Sequence, residues 1–135
     1  MAGSGKTSQW ALGGAGVVMI ITAGVHALGY RTVTAQLATS NIAAPWQAGI
    51  KGLWLVFSLH LMIVGSLFLL GGIRPSCVGK TVLLIAGLVP AVDTVVLFSC
   101  VGVFIGTVAL AVATFLVYLG VGLRPAVASG SEHGT

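Results

Sequence analysis

The sequence predicts an all-α membrane protein, a bundle of four transmembrane helices. Three observations carry this. Hydrophobic residues make up 57% of the 135-residue chain and charged residues only 6%, where a soluble domain is about one quarter charged. The mean hydropathy is +1.11, which also excludes a disordered chain, since those are polar and charged. The apolar residues fall into stretches of the length a bilayer requires, about 20 residues per helix.

The first span is expected at about 10–30. Its apolar run from Trp10 to Tyr30 exceeds the core of a signal peptide, so it reads as a retained span rather than a cleaved leader despite the small residues at Val33-Thr34-Ala35. The second is expected at about 50–72, ended by Arg74-Pro75. From Val78 to Leu123 the chain is apolar apart from Lys80 and Asp93, too long for one helix and right for two. A break near Ser99-Cys100-Val101-Gly102 gives spans of about 79–98 and 104–123, with Arg124-Pro125 closing the last. Residues 31–49 are then an outer loop divided by Pro45-Trp46, and 126–135 a small polar tail that frays. All of 1–135 forms one transmembrane domain.

Six bases and two acids give a net charge of +4. The bases stand singly, without the patch or stripe of a nucleic-acid binder. They flank spans instead: Lys6, Arg74, Lys80 and Arg124 on one side, Arg31 and Lys51 on the other. The larger set marks the cytoplasmic side, so both termini are expected inside. Trp10, Tyr30 and Trp46 fall where an aromatic belt would place them. Cys77 and Cys100 lie at opposite ends of one predicted helix, about 34 Å apart, far beyond the roughly 7 Å of a disulfide. Ser58, Gly65 and Gly72 recur every seventh residue on the second span, a small-residue stripe that permits close helix packing.

Motifs for enzymatic chemistry fail. Gly3-Ser4-Gly5-Lys6-Thr7 resembles the end of a phosphate-binding loop but lacks its first glycine and its strand. Two carboxylates, one of them Glu132 in the tail, form no acid–base pair. The chain reads as a binding or accessory protein rather than an enzyme.

Three ionisable residues lie within the spans: His26, His60 and Asp93. Such groups are costly in lipid and normally face a bundle interior. Their depths below the outer end are roughly 6, 14 and 8 Å, so three helices place their rare polar groups at similar height. Thr22 and Tyr30 share the face of His26, and Thr107, Ala111, Thr114 and Tyr118 form a polar face on the fourth span that is expected to be interior. Asp93 follows Pro90 by a turn, where the helix is loosened. With Trp54, the residues Thr22, Tyr30, Thr107 and Thr114 are the expected lining of an outer-half pocket. Four readings fit the trio: polar glue that fixes register, with Asp93 bonded to His26 or to backbone; a pocket for an apolar, lipid- or quinone-like ligand; a metal or haem site; or a proton path in an oligomeric transporter. The ligand pocket is the reading adopted, and the redox metal or haem protein stands second.

The layout resembles the DoxX-like four-helix membrane proteins. The likeness lies in the glycine-rich first span from Gly13 to Gly29, Ala44-Pro45-Trp46 before the second span, and that span's end at Leu69-Leu70-Gly71-Gly72-Ile73-Arg74. An acid that this family often carries early in the second span has no counterpart here, where the chain reads Gly52-Leu53-Trp54. The resemblance implies a bacterial cytoplasmic-membrane protein, sometimes an accessory subunit of a quinone-linked redox system. The expected partners are therefore the lipid bilayer and a homo-oligomer or larger membrane complex, and no catalytic residue is carried over.

Overall fold

A computed structural model describes residues 3–124. They form four helices: α1 (Gly3–Ala38), α2 (Ala44–Ile73), α3 (Lys80–Val101) and α4 (Ile105–Gly122), each long and apolar enough to cross a membrane. The tail at 126–135 and Glu132 lie outside the described residues.

The first connection is much shorter than the expected loop 31–49. Helix α1 runs on through Thr32, Thr34 and Gln36 to Ala38, and α2 already begins at Ala44. The physical reason is that an apolar window ends where the membrane ends, whereas a helix ends only where something breaks it. No Gly or Pro occurs between Tyr30 and Ala44. Pro45 lies in the first turn of α2, where its missing N–H leaves no bond unmade. The Ser40 hydroxyl donates to the Leu37 carbonyl at 2.8 Å, and the Gln47 amide donates to the Ile42 carbonyl at 2.9 Å, bracing the turn from both sides. The phosphate-loop look-alike at Gly3–Thr7 is the first turns of α1.

Between α3 and α4 the chain turns at Gly102, whose φ of 85° suits glycine. The Thr107 hydroxyl donates back to the Gly102 carbonyl at 3.1 Å and closes this turn. Cys77 and Cys100 are both exposed and unpaired.

Helix α1 is the centre of the bundle. It packs along α2 on one side and α4 on the other; α3 packs on α4 and barely meets α2. Backbones approach closely where α1 meets α2. A Cβ on Gly16 would stand 2.6 Å from the Leu69 nitrogen and 2.7 Å from the Gly65 carbonyl oxygen, and one on Gly72 would stand 2.6 Å from the Gly13 nitrogen. Ser58, Gly65 and Gly72 are all buried on α2, so the seven-residue stripe is part of this seam. On the other side, the Ser8 hydroxyl donates to the Gly120 carbonyl of α4 at 2.6 Å. Leu12, Met19, Leu61, Phe68, Leu83 and Val117 fill the core between these seams.

The buried face of α4 matches the expected one only at Thr107. Thr107, Leu110, Ala113, Val117, Gly120 and Val121 face inward, while Ala111 and Tyr118 are exposed. Thr114 is half-buried and donates to its own helix, to the Leu110 carbonyl at 2.8 Å. Thr22, Ser58, Ser66, Thr94 and Ser99 do the same one turn back. A hydroxyl satisfied on its own backbone costs little toward lipid, so a hydroxyl by itself does not mark the interior.

Arg124 fastens the opposite end of the bundle. Its Nη1 donates to the Val78 carbonyl at 2.6 Å and its Nη2 to the Gly71 carbonyl at 2.7 Å. One side chain thus ties the end of α4 to the end of α2 and to the α2–α3 connection. Burial pushes its pKa below the usual guanidinium value.

Two outcomes follow for stability, read by far-UV circular dichroism during SDS titration of detergent-solubilised protein. Gly16→Ala and Gly72→Ala each push a methyl into backbone and should cost about 1–3 kcal/mol. Gly24→Ala, whose Cβ would meet nothing within 4 Å, should cost nothing measurable.

Candidate functional site

Trp54 organises the site. Its indole stacks on the His26 imidazole with ring centroids 4.0 Å apart and planes 12° from parallel. Its Nε1–H donates to the His26 carbonyl at 2.7 Å. One side chain of α2 therefore holds both the ring and the backbone of His26 on α1. Gly29, one turn along α1, makes room: a Cβ there would stand 3.0 Å from the indole Cζ2.

Phe57 lies one turn further along α2. Its ring is tilted against His26 at 4.9 Å and meets the His60 ring edge-on, also at 4.9 Å. His60 Nε2 in turn lies 2.8 Å from Asp93 Oδ2 on α3. Trp54, His26, Phe57, His60 and Asp93 form one continuous run of touching side chains across three helices.

The three ionisable residues are thus placed unequally. His60 and Asp93 are directly paired, with side-chain exposures of 30% and 20%. His26 reaches them only through the ring of Phe57. The partner of Asp93 is His60, not His26 or a backbone donor. The second helix uses two faces, Ser58, Leu61 and Gly65 buried in the bundle and His60 toward α3. His26 Nε2 is buried with no hydrogen-bond partner among the described residues.

This arrangement does not fit a metal held by both imidazoles and the carboxylate. Among the described residues no three His, Cys, Asp or Glu side chains gather to hold an ion. Phe57 fills the position between the two imidazoles that a shared metal, or a haem iron with two histidine ligands, would need.

Beside this run is a cavity of about 540 Å³. Thr22 and His26 of α1, Leu53, Trp54 and Phe57 of α2, Leu97 and Val101 of α3, and Phe104, Gly106 and Leu110 stand in its wall with Ile50. Three expected lining residues lie outside it. The hydroxyls of Thr107 and Thr114 are taken by the Gly102 and Leu110 carbonyls, and half-buried Tyr30 lies one turn beyond His26. The wall carries no Lys, Arg, Asp or Glu. The Thr22 hydroxyl is committed to the Val18 carbonyl at 2.8 Å and the indole N–H to His26. That leaves the imidazole as its polar group with bonding capacity to spare.

The geometry of α2 and α3 explains the cavity. At one end the helices touch, where Leu83 packs against Gly71. His60 and Asp93 tie them midway. One turn past this tie lie Phe57 on α2 and Leu97 on α3, both in the cavity wall. The cavity opens between the helices there, so the His60–Asp93 hydrogen bond lies beneath its floor. Comparison with family models, with curated proteins and with solved structures returns no match.

The His60–Asp93 bond is testable by a double-mutant cycle. His60→Ala and Asp93→Ala should each destabilise the bundle, and the double variant should lose less than their sum by about 1 kcal/mol, the scale of interhelical hydrogen bonds in membranes. Additive losses, read in the same SDS titration, would show that the pair is not coupled.

Proposed function

We propose that this chain is a small multi-pass protein of the bacterial cytoplasmic membrane, with both termini inside, that binds a neutral, mostly apolar molecule in the cavity beside His26. The ligand class is quinone-like or lipid-like, a hydrophobic body with a carbonyl or hydroxyl head. The role is that of a binding or accessory subunit rather than an enzyme, alone, as a homo-oligomer or within a larger membrane complex.

The observation that carries this reading is an apolar cavity whose wall holds the His26 imidazole, with its Nε2 unpartnered and shielded behind that wall. Binding sites for small apolar molecules are usually lined by hydrophobic and aromatic side chains, with a few placed polar groups that fix orientation. An imidazole can donate to a carbonyl or accept from a hydroxyl, depending on tautomer. The absence of charge in the wall favours a neutral head group. The weak α2–α3 seam gives such a molecule a path from the bilayer. Lys6, Arg74, Lys80 and Arg124 at one end against Arg31 and Lys51 at the other support the orientation.

Trp54 supplies the assay, because the other tryptophans are Trp10 and Trp46 and both are replaceable by Phe at exposed positions. In that background, a short-chain benzoquinone added to the protein in nanodiscs should quench Trp54 saturably. His26→Phe keeps a ring against the indole and removes the nitrogen; affinity should fall about tenfold, equivalent to about 1.4 kcal/mol. Leu97→Phe should fill the cavity and abolish saturation. Linear quenching that is identical in all three proteins would sink the proposal.

A second reading rests on the His60–Asp93 pair. Ionisable pairs within a membrane are the materials of proton relays, and an oligomer could assemble a path around them. Solute uptake into proteoliposomes that depends on a pH gradient and is lost in Asp93→Asn would favour this reading over the first.

A further inference from the structure

A second groove lies toward the other end of the bundle from the cavity, where α1 and α2 meet near the N-terminal end of α1. It encloses about 820 Å³. Its floor is made by Gly13, Gly14 and Gly72, and its sides by Val17, Val18, Leu69 and Ile73. Lys6, Gln9 and Trp10 stand at one end only. Exposed Arg74 directly follows Ile73 at that same end.

We propose that this groove holds one anionic glycerophospholipid, its acyl chain in the glycine-floored trough and its phosphate at Lys6. Length is the first argument. From Lys6 to Val18 the trough runs about 18 Å along the helix, and one leaflet's share of a bilayer's hydrocarbon core is about 15 Å. The polarity gradient is the second. A cation, an amide and an indole occupy the end where a head group would sit, and only apolar side chains and glycines line the remainder. Trp10 is 81% exposed there, suited to the interfacial level at which indoles gather. Charge is the third. Lys6, Arg74, Lys80 and Arg124 share this end of the bundle, and the carboxylate among the described residues, Asp93, lies thirteen positions along α3 from Lys80, about 20 Å away.

The same charges argue against a second copy as the occupant. Two chains inserted in the same orientation and joined through this trough would set Lys6 and Arg74 against their own counterparts with no carboxylate to offset them. A lipid phosphate meets that end with the opposite sign.

Native mass spectrometry of delipidated protein tests the site, with dioleoyl phosphatidylglycerol and dioleoyl phosphatidylcholine in equal amounts. The first phosphatidylglycerol should bind at least fivefold more tightly than phosphatidylcholine. Lys6→Gln should cut that preference at least threefold. Gly13→Leu should weaken binding of both lipids; its Cβ would meet nothing within 4 Å, so the side chain fills the trough without disturbing the fold, as unchanged helicity and melting would verify. His26→Phe, toward the other end of the bundle, should leave lipid preference untouched, which separates this site from the cavity. Equal binding of the two lipids, or a preference indifferent to Lys6→Gln and Gly13→Leu, would overturn the proposal. So would a dimer that Gly13→Leu dissociates without changing lipid preference, since the trough would then be an interface between copies.

Discussion

Everything in this bundle hangs on how closely the backbones of α1 and α2 approach. Lipid tails are as apolar as leucine, so no hydrophobic force draws helices together within a bilayer; packing and a few polar bonds must do it. Gly16, Gly65 and Gly72 remove the side chains that would hold the two backbones apart. With α2 fixed against one side of α1 and α4 against the other, α3 packs on α4 and meets α2 only weakly. The open seam, and with it the cavity, is therefore a consequence of where the glycines lie.

Polar bonds finish what the glycines begin, and they are few. Ser8 joins α1 to α4, Trp54 joins α2 to α1, His60 meets Asp93 between α2 and α3, and Arg124 gathers the ends of α2 and α4. Each tie is made at a different height. The tie between α2 and α3 comes midway along them, and beyond it Trp54 and Phe57 of α2 pack on His26 of α1 and border the cavity rather than packing against α3. A site of this kind is built less by recruiting polar groups than by withholding contact.

Helix number and small-residue packing were readable because both follow from local composition. The Ser58/Gly65/Gly72 period needs no partner to be seen. Helix ends were not readable from hydropathy, since the helix runs on through polar Thr32 and Gln36 where nothing breaks it. The interior face of α4 was legible at Thr107 but not beyond it, because Thr114 looks polar in a sequence and is not hungry for a partner in a helix. The pairing of Asp93 with His60 rather than His26 depends on which helices are neighbours, and four spans of similar hydrophobicity do not encode their order around the bundle. The grip of Trp54 on His26 left one faint signal, the glycine at position 29 that admits the indole. Arg124 left none: a flanking base and a base that reaches back to two carbonyls are written alike.

The unequal lengths of the helices have a further effect on how the cavity meets its surroundings. Helix α1 has 36 residues and α2 has 30, whereas α3 has 22 and α4 has 18. At 1.5 Å per residue that is about 54 and 45 Å against about 33 and 27 Å, around a hydrocarbon core of about 30 Å. Ser8 of α1 lies level with Gly120 of α4 and Val25 with Ile105, so the first hairpin runs on past the α3–α4 turn as a two-helix prong. That end of the bundle is therefore stepped, tall on the α1–α2 side and low at the α3–α4 turn. Phe104, at that low turn, is part of the cavity wall, so the cavity lies at the foot of the step, and the prong stands over it like a quay wall above a slipway.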